Sequence, residues 1–158
     1  MSEHDVTAPE DKQDLQLASI LQRVGGALVD GLLISMVVVI PMLLGFIEFD
    51  NVEVALPAPV ILGLFLFGAL YTIVPTAVWG QTPGKIAVGT RVVTEEDGSL
   101  PGWRRAAVRW ALPGVLGRLP NNLGLWVSLA VMASLIVDPR RRGLHDRLAG
   151  TIVIRVQR

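Results

Sequence analysis

A chain of 158 residues suits a single domain. Its 51% hydrophobic and 18% charged residues depart from the roughly 25% charge of a soluble globular domain, and its mean hydropathy is +0.52, which points to a membrane protein. There is no cysteine, which removes disulfide scaffolds and thiol or Cys-ligated metal chemistry, and the net charge of zero conceals an uneven distribution.

The N-terminal segment carries five acids (Glu3, Asp5, Glu10, Asp11, Asp14) against Lys12 alone. Residues 1–16 read as a disordered, solvated, cytoplasmic tail preceding a transmembrane domain over 17–156. No basic region precedes the first apolar segment, so that segment is expected to stay in the mature protein. Val24 to Ile47 is a run of 24 residues with one charge, Asp30. As a helix it extends about 36 Å, against a hydrocarbon core of roughly 30 Å, with Pro41 expected to kink it or thin its last turns. Ala58 to Trp79 adds 22 residues with no charge, a second span with Trp79 at its interface.

The connection "EFDNVEVALP" holds three acids and no base, whereas twelve of the fourteen Lys and Arg residues fall in 81–158. The distribution predicts that the connection lies outside and that both termini are cytoplasmic. "GQTPGK" (Gly80, Gln81, Thr82, Pro83, Gly84, Lys85) superficially suggests a phosphate loop. It is one residue short between its glycines, and Ile86 stands where a magnesium-binding Ser or Thr belongs. The favoured reading is a tight turn at the membrane exit. Thr90–Thr94 alternates in polarity before the Asp97-Gly98 turn signal, and "TIVIRVQR" at the C-terminus does the same. Two such segments on one side predict a small sheet resting on the membrane domain.

Trp103–Leu119 contains Arg109 and Arg118, and Leu123–Val137 is apolar but only 15 residues long. A single crossing there would place Arg140, Arg141 and Arg142 outside, against the positive-inside rule. The favoured arrangement is a short helical hairpin turning at "PNN"; its rival is an interfacial amphipathic helix followed by one span. The expected fold is therefore an all-α membrane protein: a small polytopic bundle of two full spans plus a short hairpin, about four helices, with a small cytoplasmic β element. Arg140, Arg141 and Arg142 read as a cluster facing lipid headgroups, with a specific anionic-lipid site as the sharper alternative.

Asp30 is the most informative residue, because a charged Asp near the bilayer centre costs at least about 2.5 kcal/mol. Arg23 shares its face but lies about 10.5 Å away along the axis, too far for a direct pair. Arg109 is the expected cationic partner, with Lys85 and Arg147 as alternatives. Ala27 and Gly31 form a small-xxx-small pair suited to close helix contact. In "HDRLAG", Asp146 is expected to cap a short helix or bind an arginine. His145 has only His4 as a companion histidine. No metal site, no catalytic set and hence no enzymatic activity is expected.

These residues resemble the RDD family of bacterial and archaeal membrane proteins, named for one arginine and two aspartates. "QRVGGALVDGLL" supplies Arg23 and Asp30, "WGQTPGKIAVGTRVVTEEDG" resembles the family's exit turn and strand, and in "RRRGLHDRLAGTIVI" Asp146 matches the second aspartate. The resemblance covers about Leu17 to Val156. It implies a membrane protein of undefined molecular role, for which transport of unidentified ligands is a common suggestion. Two readings follow. One is a small transporter of an ion or ligand, with Asp30 as its intramembrane carboxylate. The other is a non-transporting scaffold or accessory subunit in which Arg23, Asp30 and Asp146 are structural. The expected setting is the plasma or inner membrane. The expected partners are the bilayer, an anionic lipid, and a second copy or another membrane protein. No cofactor and no nucleic acid is expected.

Overall fold

The computed structural model describes residues 16–45, 57–119 and 122–156. The acidic tail through residue 15 and the acidic connection over 46–56 lie outside the described residues. The protein is mostly helical, with two long apolar helices and one two-stranded sheet.

Helix α1 spans Ile20–Leu43 and begins four residues before the predicted span. Its start is fixed by a reciprocal cap: the Ser19 hydroxyl accepts the Gln22 N–H at 3.1 Å, and the Gln22 side chain accepts the Ser19 N–H at 3.0 Å. Arg23 thus belongs to the first turn of the helix. Pro41 falls in the last turn, where few backbone bonds remain to break, and Gly45 follows with φ 74°. Helix α2 spans Ala58–Trp79 and ends on Gly80, whose φ of 69° is the left-handed conformation that closes helices. Both helices are long and apolar enough to cross a membrane, and only 11% and 17% of their most apolar windows are buried. Leu32 and Leu70, for example, are 63% and 62% exposed. A soluble core helix would bury such side chains, whereas lipid accommodates them.

Helix α3 (Pro83–Ala87) is a single turn packed on α1, and strand β1 (Thr90–Thr94) follows it. Helix α4 (Gly102–Ala111) continues into a π-helical turn over Leu112–Leu116 containing Pro113. Helix α5 (Leu123–Val137), helix α6 (Leu144–Ala149) and strand β2 (Thr151–Arg155) complete the described chain. α4 packs against α2 and α6. Ten residues make α4 about 15 Å long, too short to cross a bilayer alone. The chain turns tightly around Asn122, where the Gly124 N–H reaches the Leu119 carbonyl at 3.3 Å, and α5 packs on the π-helical turn. A Cβ at Gly124 would overlap the Gly117 backbone, so the absence of a side chain permits this approach. Arg118 is accommodated over the Phe65 ring at 4.8 Å and on the Gly114 carbonyl, and Phe65 meets Trp110 edge-on at 5.1 Å.

The two predicted strands pair antiparallel in the register Thr90↔Arg155 through Thr94↔Thr151. The chain just before α1 lines the outer edge of β2. The Ala18 N–H donates to the Val153 carbonyl at 2.9 Å and the Arg155 N–H to the Gln16 carbonyl at 2.8 Å. Ala18, Val92 and Val153 form the buried cluster beneath this sheet. The sheet, α3 and α6 together make a polar cap at the end of α1 that carries Arg23.

Candidate functional site

Two carboxylates, the half-buried Asp30 and the fully buried Asp146, organise the polar cap. Asp30 is held from across the chain by the exit turn. Its Oδ2 accepts the Thr82 hydroxyl at 2.5 Å, and its Oδ1 accepts the Gly84 N–H at 2.7 Å and the Tyr71 hydroxyl at 2.9 Å. Lys85 Nζ stands 3.7 Å from Oδ2 and donates to the Thr82 hydroxyl at 3.2 Å. Thr82 occupies the cap position of α3 without capping it through its own side chain. Asp30 satisfies the Gly84 amide in its place. The approach depends on Gly84, where a Cβ would overlap the Gly26 carbonyl oxygen and the Asp30 carboxyl.

Several expectations require correction here. Arg109 does not pair with Asp30; the cation beside Asp30 is Lys85, named only as an alternative. The reason is topological: Arg109 sits on α4, which packs against α6, whereas α3 is the element packed on α1. The close backbone approach on α1 is at Gly26 opposite Gly84, not at the Ala27–Gly31 pair, since a Cβ at Gly31 would meet nothing within 4 Å.

Asp146 is fully buried and is shared by two arginines: Arg23 meets its Oδ2 and Arg109 its Oδ1. Its Oδ2 also accepts the Gly143 N–H at 3.0 Å, which caps α6. Arg23 reaches further, to the Arg141 carbonyl, and Arg109 donates to the Thr151 hydroxyl at 3.2 Å. Both alternatives proposed for Asp146, capping and arginine binding, therefore occur together. Arg23 and Asp146 are 123 positions apart in sequence, and no local pattern joins them.

Arg140 and Arg142 of the triple-arginine segment are engaged by carboxylates, while Arg140 and Arg141 remain exposed. Arg142 is clamped on Asp138 at 3.0 Å and on Glu95 at 2.7 Å, and Arg140 also pairs with Glu95. Hydrogen bonds from Arg142 hold the Asp138 carboxyl down at about 2. The Arg141 backbone, at φ 53°, presents its carbonyl to Arg23. In the exit turn, Gly80 lets the Val92 N–H approach its carbonyl at 2.7 Å, and Gln81 bridges the Thr90 carbonyl and Arg91. Pro83 opens α3. Every residue of "GQTPGK" thus serves the junction of α2, α3 and β1, and the carboxylate it receives is the chain's own Asp30.

Residues 17–150 match the model of the RDD family. The chain belongs to the RDD family. No curated protein and no solved structure matches it. In this RDD chain Arg23 and Asp146 bind each other, while Asp30 holds the exit turn. Sequence reasoning did not find Tyr71 or Thr82 as ligands of Asp30. Tyr71 lay in an uncharged run and Thr82 inside a motif read as a turn, so neither carried a signal.

A small cavity of about 120 Å³ is lined by Arg23, Ala27, Lys85, Thr90, Arg109, Leu135, His145 and Val153. Burial, then Arg109, push the Lys85 ammonium down to about 8 against the upward pull of Asp30. Burial, then Arg109, Arg23 and Lys85, push the His145 imidazole down to about 2, so the ring is neutral at physiological pH. Its 3.4 Å approach to Asp146 is therefore not an ion pair. Among the described residues no group of three His, Asp or Glu side chains is placed to hold a metal ion.

Proposed function

We propose that this RDD chain acts as a non-transporting membrane scaffold or accessory subunit, in which Arg23, Asp30 and Asp146 fasten a polar cap to the apolar helices. The observation that carries this reading is the occupancy of Asp30. Both oxygens are engaged by donors from α2, the exit turn and α3, with a lysine beside them. A carboxylate that loads and releases an ion or proton would have to exchange those partners in every cycle, and a carboxylate that builds structure keeps them. The same reading assigns no catalytic step to the chain.

The proposed setting is the plasma or inner membrane, with α1 and α2 crossing fully and both termini on the cytoplasmic side, where the basic residues lie. The hairpin of α4 and α5 enters from that side, and the exposed apolar faces of α1, α2 and α5 contact lipid, a second copy or a partner membrane protein. Single cysteines at Ser2, in the 46–56 connection and at Gln157 test this with an impermeant thiol reagent on intact cells. The connection should label from outside, and both ends only after permeabilisation.

The rival reading is transport of an ion or small ligand through Asp30. Proteoliposomes separate the two. Under imposed sodium, potassium and pH gradients, the scaffold reading expects fluxes equal to those of protein-free vesicles. A flux that requires the chain, varies with pH and disappears in Asp30→Asn while the variant remains folded would establish transport instead.

A further inference from the structure

The small cavity of the polar cap has an unbalanced charge. Arg23, Lys85 and Arg109 line it, while Asp30 and Asp146 are the carboxylates paired with them. Three cations therefore face two carboxylates. The nearest other charges do not correct this. Asp138 and Glu95 are engaged by Arg142 and Arg140, a set balanced within itself. His145 contributes no charge. The five charged side chains are largely buried, from 0% exposed for Asp146 to 18% for Lys85. A surplus positive charge in such a place is costly, because solvent screening is weak and desolvation is not repaid by a partner. The depression of Lys85 by burial and by Arg109, outweighing Asp30, reports the same surplus from a second direction.

We propose that the cavity is a binding site for a small monovalent anion, of the halide class, which neutralises the surplus cation. The volume of about 120 Å³ exceeds what one water requires, and it accommodates a single-atom anion together with water. Guanidinium and ammonium donors suit such an occupant, since Arg and Lys supply N–H groups and no acceptors. Thr90 and the uncharged His145 add polar surface, and Ala27, Leu135 and Val153 close the remainder with apolar walls. The site is built jointly by α1, α3, α4 and α6, so an anion there joins the two ends of the cap. This inference is independent of the scaffold reading, for an anion held in the cap is compatible with the presence or absence of flux.

The test uses the full chain purified in detergent with gluconate as the only anion. Thermal unfolding is followed by tryptophan fluorescence while bromide replaces gluconate at constant ionic strength. The unfolding midpoint should rise and saturate with bromide. Lys85→Gln makes the charges equal and should abolish the response. A wild-type midpoint indifferent to bromide overturns the site, since the surplus would then be relieved by loss of the Lys85 proton. An undiminished response in Lys85→Gln also overturns it, as a general salt effect. Where Lys85→Gln does not fold, anomalous diffraction from wild-type crystals grown in bromide decides: a peak between Arg23, Lys85 and Arg109 supports the site, and an empty cavity sinks it.

Discussion

Asp30 caps a helix that begins more than fifty residues after it: its Oδ1 accepts the Gly84 N–H at 2.7 Å, across a separation of 54 positions. A carboxylate within an apolar helix thereby replaces the side-chain cap that Thr82 does not supply. The cost of placing Asp30 there is offset by a backbone amide, two hydroxyls and an ammonium group.

Asp30→Ala should therefore be among the most damaging single changes. It strands Lys85 and leaves the Gly84 amide without its acceptor, a loss of about 3 kcal/mol. Asp30→Asn retains an acceptor for Gly84 or Thr82 and should cost less than the alanine variant. Thermal unfolding in detergent gives the ranking, and equal midpoints for wild type and Asp30→Ala would refute the capping role.

Asp146→Ala leaves both Arg23 and Arg109 without their shared carboxylate, and should destabilise by about 3–5 kcal/mol. Arg23→Gln or Arg109→Gln alone leaves Asp146 one arginine, so each should cost less than Asp146→Ala. A chemical denaturation series on the three variants measures this order. An arginine variant less stable than Asp146→Ala would mean that its contacts to Arg141 or Thr151 outweigh the carboxylate.

Gly84→Ala and Gly31→Ala form a matched pair. At Gly84 the methyl group would overlap the Gly26 carbonyl and Asp30, which predicts about 1–3 kcal/mol of destabilisation. At Gly31 the methyl meets nothing within 4 Å, and no loss of stability is expected. Comparable losses at both positions would remove the case for close approach at the exit turn.

His145 supplies a pH dependence with a definite sign. Its folded-state value of about 2 lies below the ordinary 6.5 of the unfolded chain, so the unfolded state binds more protons between those limits. Stability is complete above about pH 6.5 and declines as the pH falls, by about 1 kcal/mol from pH 6.5 to 5.5. Thermal midpoints of wild type against His145→Gln check this. The wild-type midpoint should drop over that interval and the variant should be nearly flat; parallel curves would assign the decline to other groups.

The long helices, the pairing of the two strands and the importance of Asp30 were legible because each leaves a local pattern: an apolar run, an alternation, or a charge out of place. The start of α1 was also written locally, in the Ser19 and Gln22 spacing, but the apolar run that begins only at Val24 obscured it. The partners of the charges were not legible. Both Lys85 and Arg109 are cations that follow the second apolar helix in sequence, and only the packing of α3 on α1 and of α4 on α6 separates their roles. The ion pairs of the arginine triplet were hidden for a related reason. Its acidic partners, Glu95 and Asp138, flank different elements, and nothing in "DPRRRG" shows that Glu95 approaches.

The separations between ion-pair partners also impose an order on biosynthesis. Asp30 can meet Gly84 after 54 further residues have been made, whereas Arg23 waits for Asp146, 123 positions later. At about 5–20 residues per second that is an interval of roughly 6–25 s between the synthesis of Arg23 and that of its carboxylate. The exit turn is thus the early fastening and the C-terminal segment the late one. A nascent chain arrested before Asp146 should already protect Gly84 and Lys85, yet leave Arg23 open to the quality-control machinery that samples unfinished membrane proteins.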